Sequence, residues 1–207
     1  YMKERSKRRA LDIGCAIGRS TFELARGFDE VIGLDFSARF IQEAEHLKED
    51  GILRYTMPTE GELENCYEVK LSDFDLEEER KKVSFWQADA CNLKPIYKEF
   101  DLIFGGNLLD RLYDPKKFLD SLASRLNDGG MLILTSPYTW QEESTPKEKW
   151  IGGYKRDGEN VTTLDGLKEI LGREFELIDI KNVPFVIQET ARKHQHTIAQ
   201  MTIWQKR

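Results

Sequence analysis

The stretch Arg9-Ala10-Leu11-Asp12-Ile13-Gly14-Cys15-Ala16-Ile17-Gly18-Arg19-Ser20 constrains this chain more than any other. A short apolar run, Leu11 and Ile13, gives way to two glycines, and Phe22, Leu24, Ala25 and Phe28 follow as the apolar members of an amphipathic segment. That order predicts a strand, a tight turn and the N-terminus of a helix. Glycine has no Cβ, so a ligand can lie against such a turn and face the N–H groups of the first helical turn.

Two cofactor classes use a turn of this kind. The dinucleotide fingerprint needs glycine at positions 16 and 19, where this chain carries Ala16 and Arg19, and an NAD-dependent enzyme is disfavoured for that reason. The acidic-x-Gly-x-Gly-x-Gly turn of S-adenosylmethionine (SAM) methyltransferases fits better. It reads Asp12-Ile13-Gly14-Cys15-Ala16-Ile17-Gly18, with only the middle glycine replaced, by the next smallest residue. A second apolar run ends at Asp35-Phe36-Ser37, and a carboxylate there can grip a ribose diol by charge-assisted hydrogen bonds while Ser37 caps the next helix. A third run ends at Asp89-Ala90, where an acid would face an adenine amino group and the next N–H a ring nitrogen.

Apolar spacing along the rest of the chain predicts one α/β domain over 1–207, Rossmann-like, with helices on both faces of a mostly parallel sheet of seven strands and the last antiparallel. Strands are expected at 30–35, 83–88, Phe100–Phe104, Met131–Thr135, Phe175–Ile180 and Thr197–Trp204. Helices are expected at 37–49 (Phe40, Ile41, Ala44 and Leu47 inward), briefly from Cys91, at Pro115–Leu126 with a stop at Asp128-Gly129-Gly130, and from Thr163 to Leu171. Residues 50–82 break the rhythm and read as an insertion, a hairpin and then a short helix. Residues 136–160 form a second excursion, whose aromatics suggest a lid over a flat ligand or packing against the first insertion.

A net charge of −6 and a pI near 5.3 argue against a nucleic-acid partner, and the basic run Lys3–Arg9 reads as a solvated approach to the first strand. No apolar stretch reaches membrane-spanning length and no signal peptide is visible; Cys15, Cys66 and Cys91 are odd in number and scattered, which fits a reducing cytoplasm. The chain starts close to its first strand, so a preceding helix or a fused domain is expected to lie outside it. His46 sits among charges as a surface residue. His194 and His196 can share a strand face, but no third metal ligand is indicated.

The carboxyl ends of the fourth and fifth strands are the expected place for an acceptor. Asn107, Asp110 and Arg111 lie after one, Tyr138 and Trp140 after the other, and Gln188, Glu189, Arg192 and His194 in the tail could close the pocket. Arg111 or Arg192 could take an amino-acid carboxylate, Asp110 or Glu189 its ammonium, and Tyr138 and Trp140 could sandwich a ring. Asn107 and Tyr138 are the candidates for positioning it. Exocyclic-amine methyltransferases place Pro-Pro-aromatic after the fourth strand, where this chain has Gly105-Gly106-Asn107. The intact glycine and acidic positions argue against a non-catalytic SAM-binding or scaffold protein.

The strings ALDIGCAIGRSTFELA (10–25), VIGLDFSARFI (31–41), ADACNLKP (88–95), NLLDRLYDPKKFL (107–119), LTSPYTW (134–140), DGENVTTLDGL (157–167) and VPFVIQETARKHQHT (183–197) cover nearly the whole chain. Together they resemble the methyltransferase domain found at the C-terminus of ovothiol-synthesising enzymes or standing alone beside them. The resemblance implies SAM-dependent methylation of an imidazole nitrogen of 5-thiohistidine (4-mercaptohistidine), releasing S-adenosylhomocysteine. It implies that Asp12, Gly14, Gly18, Asp35, Asp89 and Ala90 hold SAM, with Cys15, Ala16, Phe36 and Asn107 beside them. A sulfoxide synthase would act upstream, since no iron-binding synthase region is present here. Selenohistidine, or another small nitrogen or oxygen acceptor, is the alternative.

Overall fold

The computed structural model describes residues 1–207. Its main sheet is built from β1 (Arg9–Ile13), β2 (Glu30–Asp35), β5 (Val83–Gln87), β6 (Phe100–Gly106), β7 (Leu126–Ser136), β10 (Phe175–Gln188) and β11 (His194–Lys206). The strands between these form two small hairpins, β3 (Ile52–Glu60) with β4 (Leu63–Lys70) and β8 (Tyr154–Arg156) with β9 (Glu159–Val161). The strand order of the main sheet is β10-β11-β7-β6-β1-β2-β5. All neighbours from β7 to β5 pair in parallel, and β11 runs antiparallel to both β7 and β10. This is the expected mostly parallel, seven-stranded Rossmann-like sheet with its last strand reversed. Chain order turns back between β1 and β6, which is where ligands bind in open sheets of this kind.

Two apolar layers cover the sheet. One gathers Ile13, Leu34, Ala90, Phe118, Leu167 and Trp204 beneath α3 (Pro115–Asp120) and α4 (Thr163–Leu171). The other gathers Ala10, Phe22, Ala44, Leu47 and Phe85 beneath α1 (Arg19–Leu24) and α2 (Ala38–Asp50). Ser37 caps α2, accepting from the N–H of Phe40, and Thr162 caps α4 in a reciprocal box with Asp165. No helix is long and apolar enough to cross a membrane.

The first insertion is the β3–β4 hairpin, followed by 3-10 turns at Leu71–Phe74 and Glu79–Lys82. This matches the expected hairpin-then-short-helix order. On α2, Ala44 and Leu47 are buried, whereas Phe40 stays exposed beside the hairpin rather than inward.

Three expectations need correction. The helix from Pro115 stops at Asp120; after it Leu122, Ala123 and Leu126 reach the core through a 3-10 turn at Ala123–Arg125. Asp128-Gly129-Gly130 does not end a helix but lies inside β7, where the register against β6 jumps from Phe100–Leu126 to Leu102–Met131. The extra residues on β7 are looped out there, and Gly129 takes the left-handed turn of that loop at φ 72°. The last two strands are also longer than their apolar runs. Beyond the sheet edge, Val183, Phe185, Thr197 and Ala199 are at least partly covered while Pro184, Val186, His196 and Ile198 are exposed. The sequence hides this alternation because exposed positions such as Val186 and Ile198 are as apolar as the covered ones.

The cofactor cleft and the strand ends beside it

At the carboxyl end of β1 the chain turns sharply. The N–H groups of Gly14 and Cys15 both donate to the Leu34 carbonyl, at 2.7 and 3.0 Å, which pins the turn to β2. Gly14 has φ 76°, and a Cβ there would meet Leu108 at 3.0 Å. Ala16 stands where the SAM motif has its middle glycine and also takes a left-handed conformation, φ 49°. Its N–H donates to Asp35 Oδ2 at 2.9 Å, a charge-assisted bond that offsets part of the conformational cost. Gly18 matters for packing instead. A Cβ there would strike the Phe85 ring, so its missing side chain lets α1 settle on the sheet.

Asp12 is fully buried. One oxygen accepts from Ser20 Oγ (2.6 Å) and Thr21 Oγ1 (2.7 Å), while Oδ1 has no partner. Burial pushes its pKa up to about 6, against the lowering effect of the two hydroxyls. Asp35 also receives the N–H of Ser37 at 2.8 Å. Phe36 beside it is 73% exposed, a flat apolar ring left uncovered at the end of a strand. Asp89 accepts from the Cys91 N–H and from the Tyr113 hydroxyl, each at 2.8 Å, and the latter bond raises the Tyr113 pKa to about 12.

These groups converge on one cleft of about 420 Å³, lined by Ile13, Gly14, Asp35, Phe36, Asp89 and Ala90 together with Leu108, Arg111 and Tyr113. Asp12, Cys15, Ala16, Gly18 and Asn107, also expected beside the cofactor, are not among the residues that line it. Cys15 is turned away from it. Its side chain is buried in the layer beneath α1, where burial and then the charges of Asp12 and Asp35 raise its thiol pKa, so only its backbone can serve the turn.

The acceptor candidates divide. Asn107 follows β6 with φ 53°; its N–H donates to the Thr135 carbonyl, and its Oδ1 accepts from Thr135 Oγ1 at 3.0 Å. Tyr138 follows β7 with φ 56°; its N–H donates to Ser136 Oγ and its hydroxyl to Gln200 Oε1, both at 3.0 Å. Burial raises the Tyr138 pKa to about 12, so the phenol stays neutral near pH 7.

Asp110 is not free for a ligand. Oδ1 accepts from Ser136 Oγ, Oδ2 from the N–H and hydroxyl of Thr139, and the carboxylate ties the ends of β6 and β7 together in a buried site. Arg111 reaches the Thr139 carbonyl and Gln141 while still lining the cleft. Trp140 stacks on Trp150 at 6.0 Å and donates to Thr163 Oγ1, so it faces α4 rather than an acceptor.

Gln188 and His194 are register partners at the far end of the β10–β11 hairpin, on the face that carries the exposed Val186 and His196. Glu189 is ion-paired with Lys193, and Arg192 lies exposed in the turn. No cluster of His, Cys, Asp or Glu forms around the two histidines. Sequence reasoning missed one contact here. The Ala191 N–H donates to the Pro58 carbonyl at 3.1 Å, so the β10–β11 hairpin meets β3 of the first insertion, and no local pattern signals a pairing so distant in the chain.

A doubly wound sheet with its last strand reversed, a glycine turn and acids at the ends of β1, β2 and β5 defines the methyltransferase class of Rossmann-like folds. A family model described as a methyltransferase domain matches residues 4–177, and the chain belongs to that family. No curated protein sequence matches it significantly. Among solved structures it is similar to the N-methyltransferase NodS from Bradyrhizobium japonicum WM9 in complex with S-adenosyl-L-homocysteine, at 15% identity and TM-score 0.59, covering 99% of this chain and 81% of that one. A SAM-dependent methyltransferase from Methanosarcina mazei gives 16% and 0.60, covering 98% and 93%. A protein described for the conversion of a disulfide bond into a thioacetal group during echinomycin biosynthesis gives 16% and 0.62, covering 97% and 76%.

The cleft fits SAM on its chemistry: a carboxylate for a diol, an exposed ring beside it, and a glycine turn along its wall. The protein is a SAM-dependent methyltransferase.

Proposed function

We propose that the acceptor is the imidazole of 5-thiohistidine, methylated on a ring nitrogen as a step of ovothiol biosynthesis, downstream of a sulfoxide synthase. The observation that supports a positioned acceptor is the pair of left-handed, non-glycine residues at adjacent strand ends, Asn107 and Tyr138. Such conformations cost about 1–3 kcal/mol each and persist where the surroundings enforce them, as Thr135, Ser136 and Gln200 do here. The residue strings at 107–119, 134–140 and 183–197 support the thiohistidine choice by their resemblance to the ovothiol enzymes.

In this reading Asp35 takes the ribose hydroxyls, Phe36 covers the adenine, and Asp89 with the Ala90 N–H meets the adenine edge. The backbone at Gly14 and Ala16 lies along the methionine portion, and Asp12 Oδ1 serves its ammonium. SAM supplies an electrophilic methyl group on a sulfonium. A free imidazole nitrogen is already a nucleophile, so the contribution of Asn107 and the neutral Tyr138 is to aim its lone pair and fix its tautomer. Arg111, which lines the same cleft, takes the amino-acid carboxylate in this reading.

Incubation with SAM and 5-thiohistidine, followed by mass spectrometry, should give a product one methyl heavier, with plain histidine a poor acceptor. Efficient methylation of histidine itself, or of an unrelated amine in preference, would refute the thiol-specific reading. Asp35→Ala should weaken SAM binding by about 1.5–3 kcal/mol, whereas Tyr138→Phe should lower turnover and leave SAM affinity near its original value.

A further inference from the structure

A second cleft, of about 750 Å³, opens between α1, α2 and the β3–β4 hairpin. It shares no lining residue with the cofactor cleft. Its floor is apolar and buried, made by Phe22, Leu47, Leu71 and Leu76, and Phe40, Tyr55 and Phe74 stand exposed at its mouth. Tyr55 is stiffened by stacking on Tyr67 across the hairpin, ring centroids 5.5 Å apart.

The polar part of the wall is basic. Arg19, Arg39 and Arg54 line it, against the single acid Glu43, which lies 3.9 Å from His46. Arg19 and Arg54 are each held by a glutamate, while Arg39 is exposed and engaged by no carboxylate. Arg39 thus leaves one uncompensated guanidinium at the edge of an apolar hollow, with Arg54 beside it paired only through its outer, exposed side. A guanidinium over an apolar wall recognises a carboxylate, sulfonate or phosphate attached to a hydrophobic body.

We propose that this cleft is a second small-molecule site, taking an amphipathic anion with one charged group and an apolar body, and that it is filled independently of SAM. The apolar body would lie on Phe22, Leu47 and Leu76 and its charged end at Arg39 and Arg54.

The probe is 1-anilinonaphthalene-8-sulfonate, followed by fluorescence and calorimetry. The expected result is one probe per chain, bound equally with and without saturating SAM. Affinity should fall about tenfold in Arg39→Gln/Arg54→Gln, both exposed positions, and be abolished by Thr56→Trp, which fills the hollow from the hairpin. Thermal transitions of both variants, measured in parallel, should match the parent. Displacement of the probe by dodecanoate assigns a chain-like body, and displacement by indole-3-acetate a ring. If neither compound displaces it, the proposal is overturned. Loss of the probe on adding SAM, binding of several equivalents, or indifference to both variants would overturn it equally.

Discussion

The hairpin at 52–70 and the excursion at 137–162 are both additions to the sheet, and they end up in opposite states. No residue of the hairpin strands is buried, and Leu63 near its tip is 66% exposed. Beyond its apolar inner face, it is tied at the base by the Leu71 N–H to the Gly51 carbonyl and near its tip by Ala191 to Pro58. The excursion is anchored at its middle. Thr145 is fully buried and donates to the Leu112 carbonyl, Trp150 donates to the Thr145 carbonyl, and Ile151 joins the core. Gly166 on α4 lies so close to Ile151 that a methyl group there would overlap its carbonyl, and Gly152 sits as tightly against Thr162 and Thr163. Small residues at the contact decide the difference, because they let backbones approach until hydrogen bonds and packing act together. The aromatic excursion is thus a fixed wall, and the hairpin is the looser element.

That contrast can be broken most sharply at Gly166. Gly166→Ala should cost at least about 3 kcal/mol, the upper range for overpacking, and lower Tm by roughly 6–12 °C. A variant that melts with the parent would mean that the excursion yields as easily as the hairpin.

The second test trims the hairpin by joining Ile52 to Lys70, which are register partners, through an Asn-Gly turn. If the hairpin is an accessory, the pH dependence set by Asp12 should survive. The Asp12 pKa is raised from 3.8 to about 6, so the folded state holds a proton that the unfolded chain has lost in between. Stability from this group is therefore greatest below about pH 4 and falls as pH rises to about 6, by up to about 3 kcal/mol. Denaturant titrations should show that component in parent and trimmed protein alike, and its absence in Asp12→Asn. Its loss on trimming would show that the hairpin supports the cofactor turn.

A smaller effect is expected at Thr145→Val, which leaves the Leu112 carbonyl without its buried donor and should cost about 1–2 kcal/mol in chemical denaturation. At the hairpin tip, Gly61→Ala meets nothing within 4 Å and should cost only the left-handed conformation at φ 58°, about 1 kcal/mol. A larger loss at Gly61 than at Thr145 would reverse the ranking of the two insertions.

Much of the cofactor side was legible in sequence. Leu11 to Gly18, Asp35 and Asp89 are local patterns in which an apolar run ends in an acid or a glycine, and the sheet brings Ile13, Gly14, Asp35 and Asp89 from among them to one cleft. The acceptor side was less legible because its side chains answer to distant partners. Asp110 reads as a free acid until Ser136 and Thr139 are brought against it, and Trp140 reads as a ring in a polar loop until Thr163 and Trp150 meet it. The exchange of helix for bulge at Asp128-Gly129-Gly130 has a similar origin. A glycine pair marks a break in either element, and only pairing with β6 decides which.

The position of β11 has a consequence for how the sheet can be assembled. β11 follows β10 in the chain yet lies inside it in the sheet, and β10 touches the sheet through β11 alone. During synthesis Phe175–Gln188 stays an unpaired fourteen-residue segment until His194–Lys206 has emerged to pair with it and to dock the hairpin on β7. Truncating the chain before His194 would therefore remove two strands from the sheet rather than one, and would leave β7 as an open edge.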